Sequence, residues 1–300
     1  MPEPDIGGAM APEGPGPMEA GGPVPDWIAR ALDGARLGKA SERVVAVLRE
    51  EPRLASYAST AELAERSEVN VATVVRLAQQ LGFSGWPTLR VELRSRYLAS
   101  LSAGEVLAEH AGSDADPVSA ALAADRANLR LLESTLDHGQ VRAIASALHT
   151  AGRTLVLGSG TFAAPGVQLS HAAGIMGYDV RLGELGGTAV LNTLARMGGG
   201  DLLVVCDLWM LPVALRRAVE VAVQRSVQVA VVTDRRESPL VEPADRVVVV
   251  PSEGAGMFPS LTAAMAVIHA VLAELARIGG PQSLDSVREA ERLWREADLF

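Results

Sequence analysis

Between Arg153 and Val250 the chain carries five short runs of β-branched and aliphatic residues: Thr154–Leu157, Asp179–Leu182, Leu202–Cys206, Val227–Val232 and Val247–Val250. Stretches with helical periodicity follow them, near 162–176, 188–197, 212–225, 237–242 and 259–277. Apolar runs without alternation suit strands buried on both faces, and strands interleaved with helices pair in parallel. Right-handed crossovers then place helices on both sides of one sheet. The second half of the chain is therefore expected to be a doubly wound α/β domain over 151–280.

The first half has a different rhythm. In Thr60–Arg94, Leu63 and Ala64 give one inward face, and Ser67-Glu68-Val69 interrupts the pattern. Val71, Val74, Leu77, Ala78 and Leu81 then restore a 3.6-residue stripe that Gly82 can end. Thr60 and Asn70 can cap these two helices. Two short helices joined by a tight turn form a helix-turn-helix within an all-α domain over 26–102. The second helix is expected to turn Thr73, Arg76 and Gln80 outward, with Asn70 at its start, toward phosphates and base edges of double-stranded DNA. The same pattern also fits an ordinary small bundle. Trp27, Ile28 and Leu32 suit a short helix packed on this domain. A first bundle helix runs from Ser41 to an end at Pro52, and a last one occupies 86–101.

The helix-turn-helix resembles that of RpiR-type transcriptional regulators. The likeness rests on Glu62-Leu63-Ala64, then Val69-Asn70-Val71-Ala72-Thr73-Val74-Val75-Arg76, then Leu81-Gly82-Phe83 and Gly85-Trp86. Asn70 stands where the family usually has Ser, which keeps the capping chemistry. Residues 153–278 resemble the SIS (sugar isomerase) domain that partners it. Here the likeness is carried by Gly158-Ser159-Gly160, Ile175-Met176-Gly177-Tyr178, Val231-Val232-Thr233-Asp234, Ser238-Pro239-Leu240 and Ala244-Asp245-Arg246. The resemblance implies a regulator with an effector-sensing and dimerising domain, acting as a homodimer or larger assembly.

It also implies a sugar-phosphate site at the strand ends, and there the chain departs from the family. The serine expected after the first strand falls at Phe162, and the hydroxyl-rich loop after the third reads Cys206-Asp207-Leu208-Trp209-Met210-Leu211-Pro212. A carboxylate and apolar bulk repel a phosphate dianion and supply no donors. An ordinary sugar phosphate is therefore not the expected effector, and a more apolar or cationic ligand, or none, fits better. Ser159, Thr161, Asp207, Trp209, Thr233 and Glu253 are the candidate effector-binding residues. Ser159 and Thr161 serve equally as loop or cap residues, and Trp209 and Met210 equally as core. The alternative to a regulator is a sugar-phosphate isomerase-like enzyme with an accessory N-terminal domain; it lacks a phosphate cradle beside a general base. A further possibility is a regulator without ligand control. No catalytic residue, cofactor or metal site is assigned: Ala163 breaks a dinucleotide fingerprint, and His171 and His269 read as packing residues on apolar helices.

Residues 36–100 hold ten Arg/Lys and seven Asp/Glu in a chain of net charge −9, so the remainder stands at −12. A basic module on an acidic body directs phosphate contact to that module, because the attraction is local and screened. A lone Cys206 excludes an internal disulfide. No signal peptide or continuous membrane-length apolar run is seen, which predicts a cytosolic protein. Residues 1–25, rich in Pro and Gly, read as a disordered tail. Residues 103–150 read as a polar linker to Pro117 followed by two connecting helices, with an amphipathic helix in 281–300.

Overall fold

The computed structural model describes residues 23–111, 116–256 and 258–299. The N-terminal tail expected over 1–25 lies almost wholly outside this range. Its end does not: helix α1 (Val24–Ala31) begins at Val24 and buries Trp27 and Ile28. The helical domain continues with α2 (Lys39–Glu50), α3 (Pro52–Tyr57), α4 (Thr60–Arg66), α5 (Val71–Gln80) and α6 (Trp86–Ala99). Pro52 does not simply end a helix; it occupies the first turn of α3, where its missing N–H costs nothing. Trp27, Leu48, Leu63, Leu77, Trp86, Leu89 and Leu93 meet in one core.

The expected polar linker after Gly104 contains a helix, α7 (Ala103–Ala111), followed by α8 (Pro117–Thr135) and α9 (His138–Thr150). The remaining strands and helices are β1 (Thr154–Gly158), α10 (Ala164–Ile175), β2 (Val180–Leu182), α11 (Ala189–Leu194), β3 (Leu202–Asp207), α12 (Val213–Gln224), β4 (Gln228–Thr233), β5 (Arg246–Val249) and α13 (Thr262–Glu296). The expected helix at 237–242 is a set of turns, because Ser238-Pro239 and Pro243 interrupt its backbone donors.

All five strands are parallel in the order β2-β1-β3-β4-β5, a doubly wound sheet whose order reverses between β1 and β3. Strand alternation sorts the side chains into two cores. Val156, Val204, Ala230, Val232 and Val248 face α9, α10 and α13, while Leu155, Leu157, Leu203, Val205 and Val231 face α11 and α12. At about 1.5–3 kcal/mol for each fully buried Val or Leu, these layers supply the main driving force for the domain.

The helices expected at 259–277 and in 281–300 run on as α13, broken at Gly280, whose backbone (φ 50, ψ −129) is not helical. Pro281 follows and removes one more backbone donor. By length and composition α13 could cross a membrane. Val267, Ile268, Val271 and Leu275 nevertheless lie in the sheet's core, as expected for a packed helix.

Candidate functional site

The helix-turn-helix is fixed at every corner by local chemistry. Ser59, one residue before the expected Thr60, caps α4: its hydroxyl accepts from the Glu62 N–H at 3.2 Å, and the Glu62 carboxylate accepts from the Ser59 N–H at 2.7 Å. The Glu62 carboxyl is held below its usual range by those bonds. Glu68 turns the chain with a positive φ of 52°. Asn70 then caps α5, accepting from the Thr73 N–H at 2.9 Å. At the other end Gly82 takes φ 82°, its N–H bonds to Gln79 O, and the Phe83 N–H reaches Ala78 O. That double bond is a Schellman motif, for which glycine suits the left-handed position.

The outer face of α5 shows Asn70, Val71, Ala72, Arg76, Gln79 and Gln80. Thr73, expected among them, is buried at 4% exposure. Its hydroxyl donates to Asn70 Oδ1 at 2.9 Å and accepts from an Arg76 guanidinium nitrogen at 3.1 Å. Thr73 therefore links the cap to the exposed arginine and limits the angles from which Arg76 can reach a base or phosphate.

The carboxyl ends of the strands are arranged differently from the expected effector set. Asp207 is 1% exposed and accepts from the Ser238 hydroxyl at 3.0 Å. Burial pushes its carboxyl up to about 6; Arg235 opposes the rise and Asp234 adds to it. Thr233 is fully buried and accepts from the Arg235 N–H, so it offers no free surface. Ser159 is half-buried and Thr161 exposed, both at the short 3-10 turn before α10. Trp209 sits between Phe162 and Phe258, edge-on to each at about 6 Å. It has a positive φ of 71°, a rare conformation for a large side chain, and its N–H is held by Asp234 Oδ2 at 3.2 Å. Glu253 pairs with Arg94, and its backbone is bracketed by the Asn128 amide. Of the six expected residues, Trp209 and Glu253 line the pocket here; Ser159, Thr161, Asp207 and Thr233 do not. His171 and His269, read as packing residues, are exposed. No cluster of potential metal ligands occurs among the described residues.

Sequence reasoning did not single out Asp234 or the contribution of α6. The helix lies across the strand ends of its own chain. Ser95 donates to Asp234 Oδ2 at 3.1 Å, and Ser252 donates to the same oxygen at 2.9 Å. The Arg236 N–H donates to Glu92 at 2.8 Å, and its guanidinium donates to Gly82 O at 3.1 Å while covering the Phe83 ring. Glu92 and Arg96, one helical turn apart and both 2% exposed, pair at 2.7 Å, and Trp27 donates to Glu237. Burial raises the Glu92 carboxyl and lowers the Arg96 guanidinium from their ordinary values, each opposed by the other's charge. With α6 in place, the strand-end pocket keeps a cavity of only about 30 Å³.

A capped helix-turn-helix seated on a doubly wound parallel sheet is the build of a two-domain DNA-binding regulator. Residues 32–100 match the helix-turn-helix domain, rpiR family. Among solved structures, the sugar isomerase domain of an RpiR transcription factor from Sphaerobacter thermophilus is 28% identical, with a TM-score of 0.56 over 59% of this chain and 98% of that one. The Vibrio vulnificus NanR protein complexed with ManNAc-6P is 20% identical, with a TM-score of 0.58 over 90% of this chain and 98% of that one, a likeness of fold. No curated protein matches the sequence. The chain has the architecture of the RpiR family of transcriptional regulators, a helix-turn-helix domain followed by a SIS-like α/β domain.

Proposed function

We propose that this protein is a cytosolic, homodimeric transcriptional regulator that reads an operator through α5 and uses its SIS-like domain as a sensor, not as an enzyme. The observation that carries the reading is the bonded series Asn70–Thr73–Arg76, which aims an exposed cation from a helix whose N-terminus also offers backbone N–H groups to phosphate. A single α5 presents few base-reading groups, so two copies at a spacing set by a two-fold dimer are expected to read two half-sites. The exposed stripe Val118, Leu122 and Leu129 on α8 gives a second copy an apolar surface to cover.

The effector is not an ordinary sugar phosphate. Phe162 and the buried, carboxylate-bearing Asp207 loop supply none of the hydroxyl donors that such a group needs, and each missing charge-assisted bond costs about 1.5–3 kcal/mol. The reading requires neither cofactor nor metal. Mobility-shift assays with DNA flanking the gene test the first part: wild-type protein is expected to bind a two-half-site segment, and absence of any sequence-selective shift would overturn it. Calorimetric titration with hexose, pentose and amino-sugar phosphates tests the second. Micromolar binding that is lost on mutating Ser159 or Thr161 would show a working phosphate site.

A further inference from the structure

A second space, wider than the strand-end pocket, lies along the outer edge of the sheet and reaches the loops after β4 and β5. A cleft of about 540 Å³ runs along β5, walled by Val91 of α6 and by Leu131 and Leu136 near the α8–α9 turn. That volume is in the range of small-molecule sites, whereas the strand-end cavity holds only a water or two. The floor of the cleft is the outer edge of β5, the last strand of the sheet.

The register defines what that edge displays. Thr233 lies opposite Val249 and the Val250 N–H bonds to Thr233 O at 2.8 Å, so Val248 and Val250 turn their polar groups toward β4. Val247 and Val249 therefore turn theirs into the cleft. The Val247 N–H is taken by Gln140 Oε1 at 3.2 Å, and Pro251 has no N–H to give. Three groups are left in a row without a bonding partner among the described residues: Val247 C=O, Val249 N–H and Val249 C=O. Backbone groups on an open strand edge are free to take a complementary partner in place of water.

We propose that the β5 cleft binds an adenine-type base or nucleoside, in which an exocyclic amino group lies beside an unprotonated ring nitrogen. The Val247 C=O and Val249 N–H present an acceptor and a donor that match the amino donor and ring-nitrogen acceptor of that edge, and Val91, Leu131 and Leu136 suit its flat faces. An extended peptide is disfavoured, since strand addition needs alternating outward donors and acceptors along the strand, and here Gln140 takes the Val247 N–H and Pro251 has none. A phosphorylated ligand is disfavoured too, because Glu92, Asp137 and Asp234 outnumber Arg236 in the lining. Glu92 and Arg236 also belong to the contact that seats α6, so occupancy of the cleft changes how the DNA-reading module is held.

The control of DNA binding rests on the regulator reading; the binding itself does not. Full-length protein is titrated calorimetrically with adenosine and with inosine, which presents the reversed edge, and operator affinity is measured on the same samples with and without adenosine. Adenosine is expected to bind at least about ten-fold tighter than inosine, equivalent to about 1.4 kcal/mol, and to change operator affinity by several-fold. Thr135→Trp, which fills the cleft from the exposed end of α8, and Val249→Pro, which removes the one free donor on an edge strand that tolerates proline, should each abolish adenosine binding. Operator binding by the same variants would show that they are folded. No adenosine binding at 1 mM (roughly −4.1 kcal/mol), equal affinity for inosine, or undiminished binding by folded Thr135→Trp would each overturn the proposal. Protein that binds operator but not adenosine keeps the regulator reading and loses this one; protein that binds adenosine but no DNA does the reverse.

Discussion

At the scale of single residues, function and stability can be probed separately. Arg76 is exposed and, among the described residues, held by the Thr73 hydroxyl alone, so Arg76→Ala should weaken specific DNA binding by about 1–3 kcal/mol while leaving the fold intact. Thr73→Val should give a smaller loss, because it frees the arginine without removing it. Fluorescence anisotropy on specific and scrambled duplexes distinguishes the cases, and a loss uniform across sequences would mark Arg76 as a phosphate contact. Asp207 offers a pH test. Its carboxyl, pushed up to about 6, costs stability when ionised, so native protein takes up a proton that unfolded chain does not between about pH 6 and pH 4. Stability relative to Asp207→Asn should therefore rise as pH falls from 7.5 to 5, measured by urea unfolding at each pH. A fall over that interval would contradict the burial assigned to this group.

Among the elements, α5 depends on its two ends. Gly82 stands at φ 82°, and an added Cβ would meet nothing within 4 Å, so the cost of Gly82→Ala is conformational and not a clash. A loss of about 1 kcal/mol is expected in the unfolding transition that exposes Trp27 and Trp86, measured by tryptophan fluorescence. The contrast with Leu77→Ala is informative. Leu77 is 1% exposed in the core of the same module, and its truncation should cost about 2–5 kcal/mol and abolish DNA binding along with the fold.

For the whole molecule, the contact between α6 and the strand-end loops holds the two domains against each other. Glu92 is buried, pairs with Arg96 and receives the Arg236 N–H, so Glu92→Ala removes the pivot of that contact. Truncating one member of a buried pair is expected to cost about 3–5 kcal/mol, here drawn largely from the docking of the modules. The variant should show faster proteolytic cleavage between residues 100 and 117 and a larger radius of gyration by solution scattering. Unchanged cleavage and scattering would mean that the docking is held by the remaining contacts alone.

Periodicity and capping were legible in the amino-acid order because both act between near neighbours. Strand and helix alternation located all five strands, because a buried parallel strand needs a continuous apolar run whatever surrounds it. Asn70 and Gly82 marked the ends of α5, because caps act on backbone groups within a few residues. What that order left undecided depends on residues far apart in the chain. The stripe of α5 could not show that Thr73 turns inward to meet Asn70 and Arg76, and periodicity could not show that the helix read at 237–242 gives way to turns that hold α6. The candidate effector residues were drawn from the loops where such sheets bind ligands, but those loops are occupied by α6 from more than a hundred residues earlier. That placement follows from long-range packing, in which one oxygen of the buried Asp234 carboxylate, Oδ2, takes donors that converge from α6, the β3 loop and the β5 loop.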